Sequence, residues 1–214
     1  MIDYIRNNQT IIWQALGQHV YLSLLPVLLG TVVAVPVGYL AVRRPALYQP
    51  IVNLGGVIYS IPSLALFLII PVVLGTGVLS PLNIIVALAV YTFALLTRTV
   101  ADALTDVQGE TTQAADALGF RRLRRLVGVE IPMALPVMLA GVRVATVSNI
   151  SLVSVGAFLG VGGLGALFTR GLQLGFIEPI IVGIVLSVLL AAVCDIGIVL
   201  LQRRLTPWSR VGAG

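Results

Sequence analysis

Apolar residues along this chain gather into runs of membrane-spanning length, over about 19–42, 51–74, 81–97, 132–159 and 179–201. About 20 such residues let a helix cross the hydrocarbon core, so the pattern predicts five transmembrane helices. Between Ala101 and Arg143 the pattern turns polar. This stretch holds Asp102, Asp106, Glu110, Asp116 and Glu130 of the chain's eight acidic residues, together with the run Arg121, Arg122, Arg124 and Arg125. Its first part, 101–131, is the loop between the third and fourth spans. A helix-prone polar loop of this length implies contact with something in the adjacent water.

Ahead of the first run, residues 1–18 mix Asp3, Arg6 and Asn7 with Ile11, Ile12 and Trp13. They lack the order of a cleaved leader and predict an interfacial helix anchored by Trp13. Within the spans, Pro26, Gly30, Pro36, Gly38, Pro62, Pro71, Pro136 and Gly141 mark either ordinary kinks in a packed bundle or a path that opens and closes. Composition agrees with the pattern. Of 214 residues 58% are hydrophobic and 10% charged, against about a quarter charged in soluble domains. The expected fold is all-α, a single polytopic membrane domain over 1–214.

Charge adds orientation. If five helices alternate, Arg43, Arg44, Arg98, Arg121, Arg122, Arg124, Arg125, Arg203, Arg204 and Arg210 share one side, and Arg6 and Arg170 the other. By the positive-inside rule the loop and C-terminus are cytoplasmic and the N-terminus is outside. Arg143 and Asp195 lie within spans at matched depth from that side. Such charges usually face the bundle interior and pair; either these two pair, or they have separate partners, or Arg143 reaches toward headgroups.

Enzyme chemistry finds no foothold. All thirteen basic residues are arginine, which excludes a lysine-bearing phosphate loop and a lysine Schiff base. His19 borders the first run as an interfacial polar residue, without the partners of a triad or metal site. Cys194 stands alone in an apolar run. The stretch Gly160-Val161-Gly162-Gly163-Leu164-Gly165 has dinucleotide-loop spacing, but a membrane helix precedes it rather than a strand. It reads as a flexible bend at the outer membrane edge. No metal site and no bound cofactor are expected.

Within the loop, Gln113-Ala114-Ala115 is followed by three residues, Gly119, nine more, then Val129-Glu130-Ile131-Pro132. This resembles the EAA loop of bacterial ABC-importer permeases, with Gln113, Val129 and Ile131 in place of Glu, Ile and Leu. Small helix formers at 114, 115 and 117 allow close approach of a partner, and Gly119 breaks the helix so that a second one, Phe120–Val127, turns away. The resemblance narrows to the permeases of osmoprotectant uptake. It rests on His19–Leu24, Val35-Pro36-Val37-Gly38, Ser60-Ile61-Pro62-Ser63-Leu64-Ala65-Leu66, Glu130–Pro136, Ala140–Arg143, Ala157–Gly165 and Arg203-Arg204-Leu205-Thr206-Pro207.

That resemblance implies a type I ABC-importer permease fold with a cytoplasmic coupling helix, in the bacterial inner membrane. It implies two ATP-binding subunits carrying ATP and Mg, a second permease chain (the same or different), an extracytoplasmic solute-binding protein and surrounding lipid, with no nucleic acid. Gln113, Ala114, Ala115, Gly119, Phe120, Arg121 and Arg122 are then the ATPase-coupling residues. Ser60, Ile61, Pro62, Ser63, Tyr91, Gly160, Gly162 and Gly163 line or gate the path. The cargo expected is a quaternary ammonium solute such as glycine betaine, choline or carnitine, which aromatic faces hold. Tyr59, Phe67, Tyr91 and Phe93 are candidates, although span aromatics more often pack. The rival readings are a methionine-type amino-acid permease and a channel or other membrane component working without ATP. The loop spacing opposes the last.

Overall fold

A computed structural model describes residues 1–210. Helices α1 (Ile2–Asn7) and α2 (Gln9–Arg43) are separated only by Asn8, whose side-chain amide donates to the Tyr4 carbonyl at 2.9 Å. The interfacial helix expected over 1–18 is therefore confined to its first third. Only Gly17 weakens the helix between Gln9 and His19, so Ile11, Ile12 and Trp13 ride on the first span itself. At 1.5 Å per residue α2 is about 50 Å long, well beyond the ~30 Å of hydrocarbon. It ends where Pro45 pushes Arg44 into extended backbone (φ −127°, ψ 90°). The same proline opens α3 (Pro45–Ser60) at its first turn.

The second span is not one helix. α3 and α4 (Ser63–Leu74) meet at Ile61–Pro62 with a bend of 103°. Pro62 lacks an N–H and disfavours helical backbone at Ile61, which is extended (φ −66°, ψ 131°). α5 (Pro81–Asp106) runs past its expected end near Thr97, because Ala101, Ala103 and Leu104 carry the helix into the first residues of the loop. α6 (Glu110–Ala117) and α7 (Arg122–Arg125) follow, and a π-helical turn, Leu126–Glu130, joins α7 to α8 (Ile131–Gly156). A 3-10 turn and a glycine bend lead to α9 (Gly165–Leu174) and α10 (Ile177–Leu205). Among the described residues, four long apolar elements can cross a membrane, built on α2, α5, α7–α8 and α10, and the bent α3–α4 pair makes five if taken as one span.

Around α5 pack α2, α3, α4 and α8. Gly30, Ala34 and Gly38 recur every fourth residue on α2 and form its seam with α5. A Cβ at Gly30 would stand 2.5 Å from Thr92 Cβ, and one at Gly38 2.8 Å from Val100 Cβ and 2.9 Å from the Thr97 carbonyl oxygen. Lipid tails are as apolar as the helices, so close approach through small residues supplies the van der Waals contact that holds such a pair. Gly30 and Gly38 are thus packing positions. Beside the seam, Leu22, Phe67, Ile84, Leu88 and Val153 fill one end of the bundle, and Val100, Leu104 and Met138 fill the Arg-rich end. α10 lies at the periphery with its apolar central stretch unburied.

Gly38→Leu is expected to lower the melting temperature of the purified protein by about 5 °C or more, since overpacking costs about 1–3 kcal/mol. Gly17→Leu, where an added Cβ meets nothing within 4 Å, is the control. Equal melting of the two variants would show that the seam does not hold α2 to α5.

Candidate translocation path and coupling segment

The polar segment is a capped helical elbow. Gly109 (φ +96°) turns the chain out of α5, and Gly119 (φ +79°) ends α6. The Gly119 N–H donates to the Asp116 carbonyl at 2.9 Å and the Phe120 N–H to the Ala115 carbonyl at 3.1 Å, the bond pair of a Schellman cap. In that cap the residue after the left-handed glycine packs on the residue five before it. This accounts for the spacing of the Gln113-Ala114-Ala115 and Gly119 pattern. Ala115 is buried, whereas Gln113, Ala114, Ala117, Gly119, Arg121 and Arg122 are exposed. Leu118 and Leu123, 78% and 76% exposed, stand among them, and Arg124 lies over the half-buried Phe120 ring at 5.2 Å.

Arg125 differs from its exposed neighbours in the basic run. It turns inward, where its Nε donates to Glu130 Oε1 at 2.8 Å and one terminal nitrogen donates to both Asp116 oxygens. Glu130, only 2% exposed, also accepts from a terminal nitrogen of Arg43 through both oxygens, at 3.0 and 3.1 Å. The Arg43 guanidinium lies 5.1 Å over the Tyr39 ring. The Arg125 guanidinium is charged at any physiological pH. A buried carboxylate tolerates burial only when paired and hydrogen-bonded in this way. One network therefore ties the end of α2, the elbow and the start of α8 together. In the sequence Glu130 sits inside the loop pattern without a role of its own. Its signal was an isolated acid at the apolar entrance to a span, below a basic doublet on another helix.

At the α3–α4 break, the Tyr91 hydroxyl donates to the Ile61 carbonyl. Ser60 instead donates to its own helix, to the Val57 carbonyl at 2.7 Å. Ser60 and Pro62 are exposed, and Ile61 and Ser63 half-buried. Beside the break, Tyr59, Tyr91, Thr92, Leu95, Ala145, Ser148, Asn149 and Leu152 line a cleft between α3, α5 and α8. The Tyr59 and Tyr91 rings meet edge to face, with centroids 5.8 Å apart at 82°. Behind them the Asn149 amide donates to Thr92 Oγ1 at 3.0 Å.

The glycine bend is clasped rather than loose, contrary to the flexible bend expected. The Gln18 amide donates to the Val161 carbonyl at 2.8 Å and accepts from the Gly163 N–H at 3.1 Å. His19 Nδ1 accepts from the Leu164 N–H at 3.1 Å. Its Nε2 lies 2.9 Å from the Ile150 carbonyl, and these partners fix the neutral tautomer with the proton on Nε2. His19 is thus fully buried, not interfacial. Gly160, Gly162 and Gly163 have φ of +83°, +89° and +72°, and a Cβ at 162 would fall 2.3 Å from Gln18 Oε1. The glycines are there to let the clasp close.

Arg143 and Asp195 meet in a bidentate pair, Nε to Oδ1 at 2.7 Å and a terminal nitrogen to Oδ2 at 2.9 Å. Their places on α8 and α10 put them roughly 15–18 Å from the Arg-rich helix ends. The pair is about a third exposed on each side and is a polar tie between α8 and the peripheral α10.

These features define a class: a multi-span helical membrane protein whose polar elbow is wired into its bundle beside a broken helix. A family model described as the inner membrane component of binding-protein-dependent transport systems matches residues 26–207, and the chain belongs to that family. It is therefore a permease of a binding-protein-dependent importer, embedded in the inner membrane. The chain is 35% identical to the osmoprotectant import permease protein OsmW of Salmonella typhimurium, over 96% of this chain and 97% of that protein. It is 30% identical to the glycine betaine/carnitine/choline transport system permease protein OpuCB of Bacillus subtilis, over 97% and 94%. Its fold matches a chain of the inward-facing MetNI methionine ABC transporter with a TM-score of 0.83, 22% identity and coverage of 94% and 98%. That identity speaks to fold alone, and the fold is the type I permease fold expected from the sequence.

Arg143→Leu and Asp195→Leu are each expected to lower melting temperature, because each strands a charge in low dielectric, while the double change recovers part of the loss. Losses that simply add in the double variant would show that the pair contributes nothing. Glu130→Ala, which leaves Arg43 and Arg125 facing each other, should cost on the order of 10 °C. A melt unchanged by Glu130→Ala would remove the network as a structural tie.

Proposed function

We propose that this chain is the membrane permease of an ATP-driven importer of quaternary ammonium osmoprotectants such as glycine betaine, choline or carnitine. It works with two ATP-binding subunits, which hold ATP and Mg, with a second permease chain and with an extracytoplasmic solute-binding protein. The N-terminus faces outside, and the elbow and C-terminus face the cytoplasm. The cargo reading is supported by near-full-length similarity to OsmW and OpuCB, whose names carry such solutes. The methionine reading has only the shared fold behind it.

The observation that carries the coupling role is the elbow. Leu118 and Leu123 stand out as apolar knobs among Arg121, Arg122 and Arg124, and the other side of the same elbow is bolted through Arg125 and Glu130 to α8 and α2. A partner seated on the knobs would move two spans. Gln113, Ala114, Ala115, Gly119 and Phe120 shape that surface. Ser60, Ile61, Pro62, Ser63 and Tyr91 lie along the path, and Gly160, Gly162 and Gly163 form its clasped outer end. Hydroxyls exposed in mid-span, such as Ser60 and Ser151, suit a wet path or a protein neighbour rather than lipid.

The test is reconstitution of the assembled transporter in liposomes. Binding protein loaded with glycine betaine, choline or carnitine should stimulate ATP hydrolysis several-fold, and the permease alone should hydrolyse none. Stimulation by methionine alone, or hydrolysis by the isolated permease, would overturn the reading. Gly119→Val, which strains a φ of +79°, should insert normally yet lose at least tenfold in stimulated hydrolysis. Gly119→Asn, which tolerates left-handed backbone, should retain most of it. Full activity in the valine variant would dismiss the elbow as a lever.

A further inference from the structure

Four aromatic side chains were candidates to touch a cationic solute, and the structure separates them. Phe67 is 1% exposed in the α4–α5–α8 core, and Phe93 packs partly buried against the cluster of Ala34, Leu96 and Ala145. Of the four, Tyr59 and Tyr91 line the cleft at the helix break. Tyr91 lies ten residues along α5 from Pro81, about 15 Å from that helix end, so the cleft sits well inside the membrane.

We infer that Tyr59 and Tyr91 form the permease's own recognition point for the quaternary ammonium group of the passing solute, with Tyr59 as the residue that yields and re-forms the contact. This rests on the osmoprotectant reading above. The two rings stand at 82° and so present two walls at right angles. Ser148 and Asn149 of α8, with Thr92 of α5, form the remainder of the polar lining, and no charged residue lines the cleft. That chemistry fits a methylated ammonium. Such a group has no N–H to donate, so hydroxyls and carbonyls cannot select it, whereas the negative face of a ring can. With no carboxylate nearby, the contact is brief, as a path requires.

The geometry also assigns the two tyrosines different duties. Tyr91 is buried and its hydroxyl is committed to the Ile61 carbonyl, which fixes its ring. Tyr59 is 46% exposed and occupies the last turn of α3, two residues before the Ile61–Pro62 break. Rotation at that break carries Tyr59 relative to Tyr91. In the present conformation the cleft has room for about one water molecule, so a solute enters only when α3 swings and the rings part.

The test uses the complete reconstituted transporter and follows uptake of radiolabelled choline alongside ATP hydrolysis stimulated by loaded binding protein. Wild-type complex that takes up no quaternary ammonium solute would sink the osmoprotectant reading itself, before any variant is made. Given uptake, Tyr59→Leu should reduce it about tenfold while stimulated hydrolysis stays within twofold. Tyr59→Phe should retain uptake, because the ring and not the hydroxyl makes the contact. Since Tyr59→Leu can also perturb packing, a second series places phenylalanine with one, two and three ring fluorines at 59, which drains the ring's negative face at nearly constant size. A graded fall in uptake with each fluorine supports the proposal. Flat uptake across the series, or Tyr59→Phe falling as far as Tyr59→Leu, overturns it.

Discussion

Hydrocarbon gives an unpaired backbone group no partner, and in this fold that constraint decides which irregularities survive. The chain leaves regular helix inside or beside the membrane at Ile61–Pro62, at Leu126–Glu130 and at Gly160–Gly163. At two of these a side chain from another helix answers the exposed backbone: Tyr91 at the Ile61 carbonyl, and Gln18 with His19 at the Val161 carbonyl and the Gly163 and Leu164 N–H groups. The third keeps helical bonding but adds a residue to the turn, which presents Glu130 to Arg43 and Arg125. Each irregular segment is thereby also a cross-link.

The cross-links are unequal, and the inequality suggests how motion travels. Around Glu130, charges from α2, α6, α7 and the head of α8 are joined by several short bonds. The glycine seam locks α2 to α5 with almost no space between backbones. α2, α5 and α8 thus behave as one stiff body attached to the elbow. The α3–α4 joint has a single hydroxyl across it. Tyr48 ties the far end of α3 to Asp102 of α5 at 2.6 Å, leaving the break as the compliant end of that helix. On the proposed coupling role, stress applied at the elbow would pass through the stiff body and emerge at the break.

Much of this was legible in the sequence. Spans, the polar loop and the Gln113–Pro132 register follow from hydropathy and spacing, because those signals are local. Matched depth alone brought Arg143 and Asp195 together as candidates. What escaped depended on distant partners. Glu130 could not be assigned to Arg43, 87 residues earlier, nor His19 to Leu164 and Ile150. The 103° bend was under-read, since Pro62 is compatible with a mild kink and only the partner at Ile61 makes a sharp break tolerable. Gly30 and Gly38 fit either kinks in a packed bundle or an opening path. Their four-residue spacing with Ala34 was the missed sign of close packing.

Tyr91 joins the two themes, because its hydroxyl satisfies the Ile61 carbonyl while its ring walls the cleft. If α3 swings and that bond breaks, the carbonyl is left in a low-dielectric setting, at a cost on the order of several kcal/mol unless another donor arrives. Water is the donor at hand, and the closed cleft has room for only about one molecule, so a hydrated path needs the cleft to open. Opening of the joint and wetting of the path are therefore one event rather than two. A dry, half-open intermediate is the state this arrangement penalises most, which favours a path that is either shut against all but a water or open to a hydrated solute.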